Sequence, residues 1–241
     1  MPSISIVIPA YNEEKRLPKT LESIQRYFAS HVFSAVEILV VDDGSRDGTA
    51  RMVEGYARAD ERIRLLRNPG NRGKGYSVRH GMLEASGDWI LFSDADLSAP
   101  IEDLDILMKA AEKDGVQVVI GSRAVDRSMV GVRQPFWREM SGRTFNLLMR
   151  IVTGLPYRDT QCGFKLYRRD AARAVFSRQK LDGFSFDVED LMIARQLGVP
   201  AVEVAVHWNN VEGTTVGTLQ GFMSFVDLVK IRMNQVGGRY R

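Results

Sequence analysis

Residues 4–14 read Ile4-Ser5-Ile6-Val7-Ile8-Pro9-Ala10-Tyr11-Asn12-Glu13-Glu14. The apolar, largely β-branched run from Ile4 to Ile8 is the pattern of a buried strand, and it ends in a proline, an aromatic and polar groups. A helical pattern follows from Leu17 to Phe28, with Leu17, Leu21, Ile24 and Phe28 on one face. The same alternation then repeats. Strands are predicted at Val36–Val41, Ile63–Leu66, Trp89–Phe92 and Val116–Ile120, and helices at Thr49–Ala59, Gly75–Ala85 and Leu104–Lys113. Strand and helix in turn, joined by short loops, predict an α/β fold: a Rossmann-like, mostly parallel sheet with helices on both faces. On such sheets ligands bind outside the carboxyl ends of the strands, so the residues just after each strand are the candidates for function.

Beyond residue 120 the pattern is less regular. Pro135–Val152 reads as an Arg-rich helix, Phe164–Tyr167 as a strand, Val188–Leu197 as a helix, Val202–Val206 as a strand and Leu219–Val236 as a long helix. With no internal repeat and no low-complexity linker, the expectation is one domain over residues 1–217 and a C-terminal amphipathic helix over 218–241.

Composition bounds the alternatives. A chain of 241 residues, 44% hydrophobic and 26% charged, is ordinary globular material, which excludes long disorder, collagen and a disulfide scaffold. Cys162 is the one cysteine, so no intramolecular disulfide forms, as suits a reducing compartment. Met1–Ala10 lacks a basic stretch followed by a long apolar run, and no 18-residue apolar window occurs, so neither a signal peptide nor a spanning helix is expected. A formal charge of +3 from 33 basic and 30 acidic side chains does not mark a nucleic-acid binder.

Each strand end carries a chemical group. After the first come Pro9, Tyr11, Asn12 and Glu13; an aromatic beside polar groups can hold a nucleobase, or Asn12 can simply cap the following helix. After the second come Asp42, Asp43 and Gly44, where a carboxylate can accept the N–H of a nucleobase or close an Asx turn. The third leads to Asn68-Pro69-Gly70-Asn71-Arg72-Gly73-Lys74-Gly75, a glycine-rich basic loop before a helix. Its backbone N–H groups and Lys74 suit a phosphate, although the spacing is not that of a Walker A loop. After the fourth come Asp94, Ala95 and Asp96. If the segment stays extended, the two carboxylates point the same way and form a site for Mg²⁺ or Mn²⁺. After the fifth comes Arg123, suited to a phosphate oxygen, with a surface ion pair to Asp126 as its alternative. Together these groups point to a nucleotide diphosphate and a divalent metal.

The series Pro9-Ala10-Tyr11-Asn12-Glu13, Val40-Val41-Asp42-Asp43-Gly44-Ser45 and Asp94-Ala95-Asp96 resembles the inverting family 2 glycosyltransferases of GT-A fold. Asn71-Arg72-Gly73-Lys74-Gly75, Arg158-Asp159-Thr160-Gln161-Cys162-Gly163-Phe164-Lys165 and Phe186-Asp187-Val188-Glu189 narrow the resemblance to its dolichyl-phosphate glucosyltransferases and their prokaryotic polyprenyl-phosphate relatives. The resemblance implies transfer of a sugar, glucose from UDP-glucose or another sugar such as mannose from GDP-mannose, to a dolichyl or undecaprenyl phosphate. Pro9, Tyr11, Glu13, Asp42 and Asp43 would then hold the nucleoside, Asp94 and Asp96 the metal and diphosphate, and Arg123 and Arg138 the acceptor phosphate. Ser98 stands where mannosyl relatives often carry Gln, which weighs against mannose. Asp187 is placed either as a base, as the group that orients a sugar hydroxyl, or as a helix N-cap. A soluble hydroxyl acceptor would need the base; a phosphate dianion would not. A nucleotide-sugar sensor or membrane adaptor without turnover is the non-enzyme alternative.

A lipid acceptor implies contact with a membrane surface, with the protein peripheral on its cytoplasmic face. Two segments suit this. In Pro135–Val152, Phe136, Trp137, Met140, Phe145, Leu148 and Ile151 are interleaved with Arg133, Arg138, Arg143 and Arg150; in the last helix, Leu219, Phe222, Val226, Val229 and Met233 form a stripe. Packing of both stripes on the sheet is the alternative. Residues 127–158 and 218–241 together carry +8, which leaves −5 on the rest of the chain.

Overall fold

The computed structural model describes residues 1–131, 149–210 and 218–240, with backbone alone for 218–225. The predicted helix over Pro135–Val152 falls largely outside these residues, as do Arg133, Arg138 and Arg143; residues 149–153 at its end are helical.

The strands are β1 (Ile4–Ala10), β2 (Val36–Asp42), β3 (Ile63–Arg67), β4 (Trp89–Ser93), β5 (Val118–Ser122), β6 (Phe164–Arg168) and β7 (Ala201–Ala205). They form a seven-stranded sheet in the order β3-β2-β1-β4-β6-β5-β7. β1 pairs in parallel with β2 and β4, β2 with β3, and β5 with β7. β6 runs antiparallel between β4 and β5, so the sheet is mixed where sequence alternation alone gave its parallel part.

Helices α1 (Leu17–Ser30), α2 (Thr49–Ala59) and α4 (Leu104–Ala111) follow β1, β2 and β4, while α3 (Lys74–Glu84) follows β3. Later come α5 (Arg169–Phe176), α6 (Phe186–Gln196) and α7 (Thr218–Val236). β1 is buried along its whole length because alternate side chains enter two cores. Ile4, Ile6 and Ile8 meet Leu17, Leu21 and Ile24 of α1 and Leu104 of α4. Val7 enters the opposite core with Val78 and Met82 of α3, Val188 and Leu191 of α6, and Leu228 and Ile231 of α7. Each such fully buried Leu or Ile contributes about 1.5–3 kcal/mol.

Connections from β1 run in one direction to β2 and β3, whereas β4 lies on its other side. The crevice at this reversal is where open α/β sheets bind ligands. Because β6 is antiparallel, the residues just before it reach the same rim as the ends of β4 and β5: Phe164 pairs with Ser93, and the Asp94 N–H donates to the Gly163 carbonyl at 3.0 Å. That places residues 158–163 among the strand-end groups.

Candidate active site

The turns after β1 and β2 are laced together. Asn12 takes a left-handed conformation (φ 57°), its N–H donates to Ser45 Oγ at 2.9 Å, and its Oδ1 accepts from the Arg46 N–H at 2.8 Å. It therefore ties two loops and does not cap α1, whose N-cap position is Arg16 with no side-chain cap. The Glu13 N–H donates to Thr49 Oγ1 at 2.8 Å, and its carboxylate receives Arg16 Nε at 2.7 Å. Pro9 is buried within β1, while the Tyr11 ring is exposed at the rim.

Asp42 and Asp43 are both buried. Asp43 spans to the glycine-rich loop: Oδ1 accepts from Asn68 Nδ2 and the Arg72 N–H, and Oδ2 from the Gly73 N–H, each at 2.8 Å. Asp42 Oδ1 accepts from the Ser45 N–H at 3.2 Å. Gly44 lets the two loops meet. Its φ is +73°, and a Cβ there would lie 2.7 Å from the Gly70 carbonyl carbon.

After β4 the chain turns at once, so the extended segment expected over residues 94–96 is not found. The Leu97 N–H closes the turn on the Asp94 carbonyl at 3.4 Å, Asp96 Oδ1 accepts from the Ser98 N–H at 3.0 Å, and Leu97 is left-handed (φ 46°). An Asx hydrogen bond has won over the extended backbone. Ala95 is buried, and its carbonyl accepts from Thr20 Oγ1 at 2.6 Å. Lys74, the first residue of α3, pairs with Asp94 Oδ1 at 2.6 Å. A Cβ on Gly163 would fall on the Asp94 carboxylate, so this glycine makes the room for it. Arg16 lies in the field of Asp94 and Asp96; its own pKa is raised, chiefly by Glu13. Among the described residues no cluster of three or more metal-type side chains forms. Asp94 and Asp96 stand in one turn at the rim, and their carboxylate oxygens are the donor type that Mg²⁺ or Mn²⁺ takes, with substrate and water to supply the rest.

Arg123 follows β5 and forks onto Asp159 through Nε at 2.6 Å and Nη2 at 2.8 Å, while its guanidinium lies 5.5 Å from the Trp208 ring centroid. The alternative partner Asp126 instead accepts from Ser128 at the start of a short 3₁₀ turn. Burial pushes the Asp159 carboxyl up, but the Arg123 guanidinium more than offsets this and holds it below the usual range. Glu203 of β7 fixes the loop beneath by accepting from the N–H groups of Arg158 and Asp159 at 2.8–3.0 Å. Cys162 is buried, and burial pushes its thiol up to about 12, which makes it unreactive.

Asp187 lies in the first turn of α6, buried, and is not the N-cap, which is Ser185. Its Oδ1 pairs with Lys165 Nζ from β6. Burial raises the Asp187 carboxyl; Lys165 and then Lys74 oppose that rise. One turn along, Asp190 accepts from the Tyr167 hydroxyl at 2.6 Å. Arg16, Asp159, Lys165 and Glu203 are partners that strand-end reasoning did not single out. A lysine in the middle of an apolar strand, Phe164-Lys165-Leu166-Tyr167, was the readable signal for one of them.

The rim thus gathers an exposed aromatic ring, buried carboxylates, a glycine-rich basic loop, the Asp94–Lys74 pair and the Arg123–Asp159 fork. The model of the family "Glycosyl transferase family 2" matches residues 5–176. The chain belongs to this family. It is a glycosyltransferase. A dolichyl-phosphate beta-glucosyltransferase of Trichomonas vaginalis is 37% identical over 236 residues, covering 95% of this chain and 72% of that protein. The protein of the same name from Homo sapiens is 32% identical over 252 residues, covering 99% of this chain and 77% of its own. Among solved structures, glucosyl-3-phosphoglycerate synthase from Mycobacterium tuberculosis in complex with Mn²⁺, uridine diphosphate and glucosyl-3-phosphoglycerate superposes with a TM-score of 0.72 at 20% identity, covering 96% of this chain and 80% of the other. The same synthase has been crystallised with Mg²⁺ and uridine diphosphate. At that identity the likeness speaks for the shared GT-A fold.

Proposed function

We propose that this glycosyltransferase moves a glucosyl group from UDP-glucose to the phosphate of dolichol or a similar polyprenyl lipid, with inversion to a β-linked product. The names of its relatives support the sugar and the acceptor. The observation that carries the reading is the meeting on one rim of Asp94, paired with Lys74, and, across the antiparallel β6 entry, Arg123 forked onto Asp159.

The division of labour follows from charge. The exposed Tyr11 ring and Asp42 suit the nucleoside, with Pro9 and Glu13 shaping the corner. Asp43 shapes the glycine-rich loop through its three hydrogen bonds, and that loop with Lys74 faces the diphosphate. Asp94 and Asp96 would hold Mg²⁺ or Mn²⁺, which neutralises charge on the departing diphosphate when bound. The fork to Asp159 uses Arg123 Nε and Nη2, and among the described residues this leaves Nη1 for an acceptor phosphate oxygen. Arg138 is proposed as its companion. A phosphate monoester at pH 7 is mostly a dianion and already nucleophilic, so positioning and charge neutralisation suffice. Asp187 is then the group for a donor-sugar hydroxyl, not an obligatory base.

We also propose that the enzyme works as a peripheral protein at a membrane surface, the cytoplasmic face, with α7 as a contact element. Among the described residues no helix is long and apolar enough to cross a membrane. Of the α7 stripe read from sequence, Val226, Val229 and Met233 lie on the open side, 39%, 59% and 68% exposed, joined by Val236 at 77%, while Leu228 and Ile231 face the core; the side chains of Leu219 and Phe222 lie outside those described. The test of the function is transfer from labelled UDP-glucose with Mg²⁺ or Mn²⁺, with and without dolichyl phosphate in vesicles. Lipid-dependent consumption of UDP-glucose is expected. Consumption of GDP-mannose alone, or transfer to a soluble hydroxyl alone, would overturn the assignment.

A further inference from the structure

Lys165 is a fully buried cation at the centre of the sheet. β6 places it opposite Phe92 of β4 and Ile120 of β5. Alternation puts Lys165 and Tyr167 on the same face of the strand, toward α6, which presents Asp187 and Asp190 three positions apart on one side. Lys165 Nζ pairs with Asp187 and lies 5.6 Å from the Phe92 ring centroid; the Tyr167 hydroxyl takes Asp190 Oδ2, and Asp190 Oδ1 has no hydrogen-bond partner among the described residues.

A structural explanation is insufficient for this arrangement. A buried ion pair contributes no more stability than well-packed apolar side chains of the same volume, and often less. Here the cation sits one residue layer behind the rim, under the one acidic side chain of α6 that also feels Lys74 and Asp94. Lys74 is different in kind. It is partly exposed, pairs with Asp94 and begins a helix at the diphosphate side of the rim. A Lys74 drawn toward an incoming diphosphate would give Asp187 less compensation, whereas Lys165 has no solvent or substrate to leave for.

We propose that Lys165 is a positioning residue for the transfer: a fixed internal cation that keeps Asp187 charged and aimed at the donor sugar while Lys74 follows the diphosphate. This rests on the reading of Asp187 as the group that meets the donor sugar. The charged and titratable groups facing Asp187 are Lys165 from β6, Lys74 from α3, Asp94 after β4 and Asp190 from α6. Removing Lys165 leaves burial opposed by Lys74 alone, so Asp187 takes up a proton at higher pH than before.

The test is Lys165→Met in the full chain, read as the pH profile of glucosyl transfer. Expected are a kcat at pH 7 lower by about tenfold or more with the KM for UDP-glucose nearly unchanged, and an acidic limb moved up by about one pH unit or more. An unchanged profile with full kcat overturns the proposal, as does a loss of kcat equal at every pH. Should Lys165→Met not fold, Lys165→Gln, which still donates to Asp187 without charge, is carried through the same profile with the same outcomes. A ¹³C titration of the Asp187 carboxyl in the wild-type chain is the readout independent of turnover: ionised at pH 7 is expected, and a neutral carboxyl overturns the proposal. If the wild type transfers no glucose to lipid while that carboxyl is charged, it is the functional reading that fails.

Discussion

At the scale of single residues, the rim depends on two kinds of group: those that face the crevice and those that hold them. Gly44 is of the second kind. An alanine there meets both a left-handed backbone and the Gly70 carbonyl carbon at 2.7 Å, neither of which yields cheaply. Gly44→Ala is expected to weaken UDP binding, measured by titration calorimetry, by about tenfold or more and to lower stability by about 1–3 kcal/mol. Binding at wild-type strength would mean that the contact of the two loops does not shape the donor site. Asp190 tests the buried charges. Burial lifts its carboxyl to about 7, Lys165 opposing and Asp187 adding to the rise. The folded chain then keeps a proton that the unfolded chain has lost, so this group's contribution to stability falls as pH rises from about 4 to about 7. Asp190→Asn, which still accepts from Tyr167, removes that dependence. Its stability relative to the wild type, followed by thermal melting, should rise between pH 5 and pH 8 by on the order of 3 kcal/mol; a constant difference across that range contradicts the assignment. Tyr11, Asp94 and Arg123 were legible in sequence because each follows a strand, and Asp42 because it ends one. Their partners were not: Arg123 and Asp159 are 36 positions apart, and Lys165 and Asp187 are 22 apart, so only tertiary pairing joins them.

At the scale of elements, hydrophobic period located nearly every strand and helix of the first half, since each buries a continuous face. It could not give direction. Phe164–Tyr167 reads as a strand in either sense, and its antiparallel insertion between β4 and β5 is a matter of which neighbours it meets. α5, Arg169–Phe176, went unread because eight residues opening on Arg169 and Asp170 directly after a strand look like a loop. The expected extended run at Asp94–Asp96 failed for a local reason, the Asx turn that Asp96 makes with Ser98. α7 is fastened from its far end. The Tyr240 hydroxyl donates to Glu189 Oε1 of α6 at 2.7 Å, and the other oxygen of Glu189 accepts from the N–H groups of Lys180 and Leu181. Tyr240→Phe leaves a buried acceptor short of a donor and should lower stability by about 1–3 kcal/mol, seen as a drop in melting temperature. No drop would show that the tail does not anchor the helix.

At the scale of the molecule, a modest net charge of +3 conceals an asymmetry. Residues 127–158 and 218–241 carry +8, and the remainder carries −5. Basic segments suit an anionic lipid surface, and α7 adds the exposed Val229, Met233 and Val236. Replacing Val229, Met233 and Val236 together by serine removes side chains that already face solvent, so folding should be unaffected while binding to anionic vesicles in a sedimentation assay falls about tenfold or more. Equal binding by that variant would take α7 out of the membrane contact. The central claim, that this family 2 enzyme glucosylates a lipid phosphate with inversion, is tested most directly by the anomeric configuration of its product. NMR of the lipid fraction from a reaction of UDP-glucose, dolichyl phosphate and Mn²⁺ should give a β-glucosyl phosphodiester that forms only when both substrates are present. An α-linked product, or glucose released to water with no lipid-linked sugar, would contradict the account.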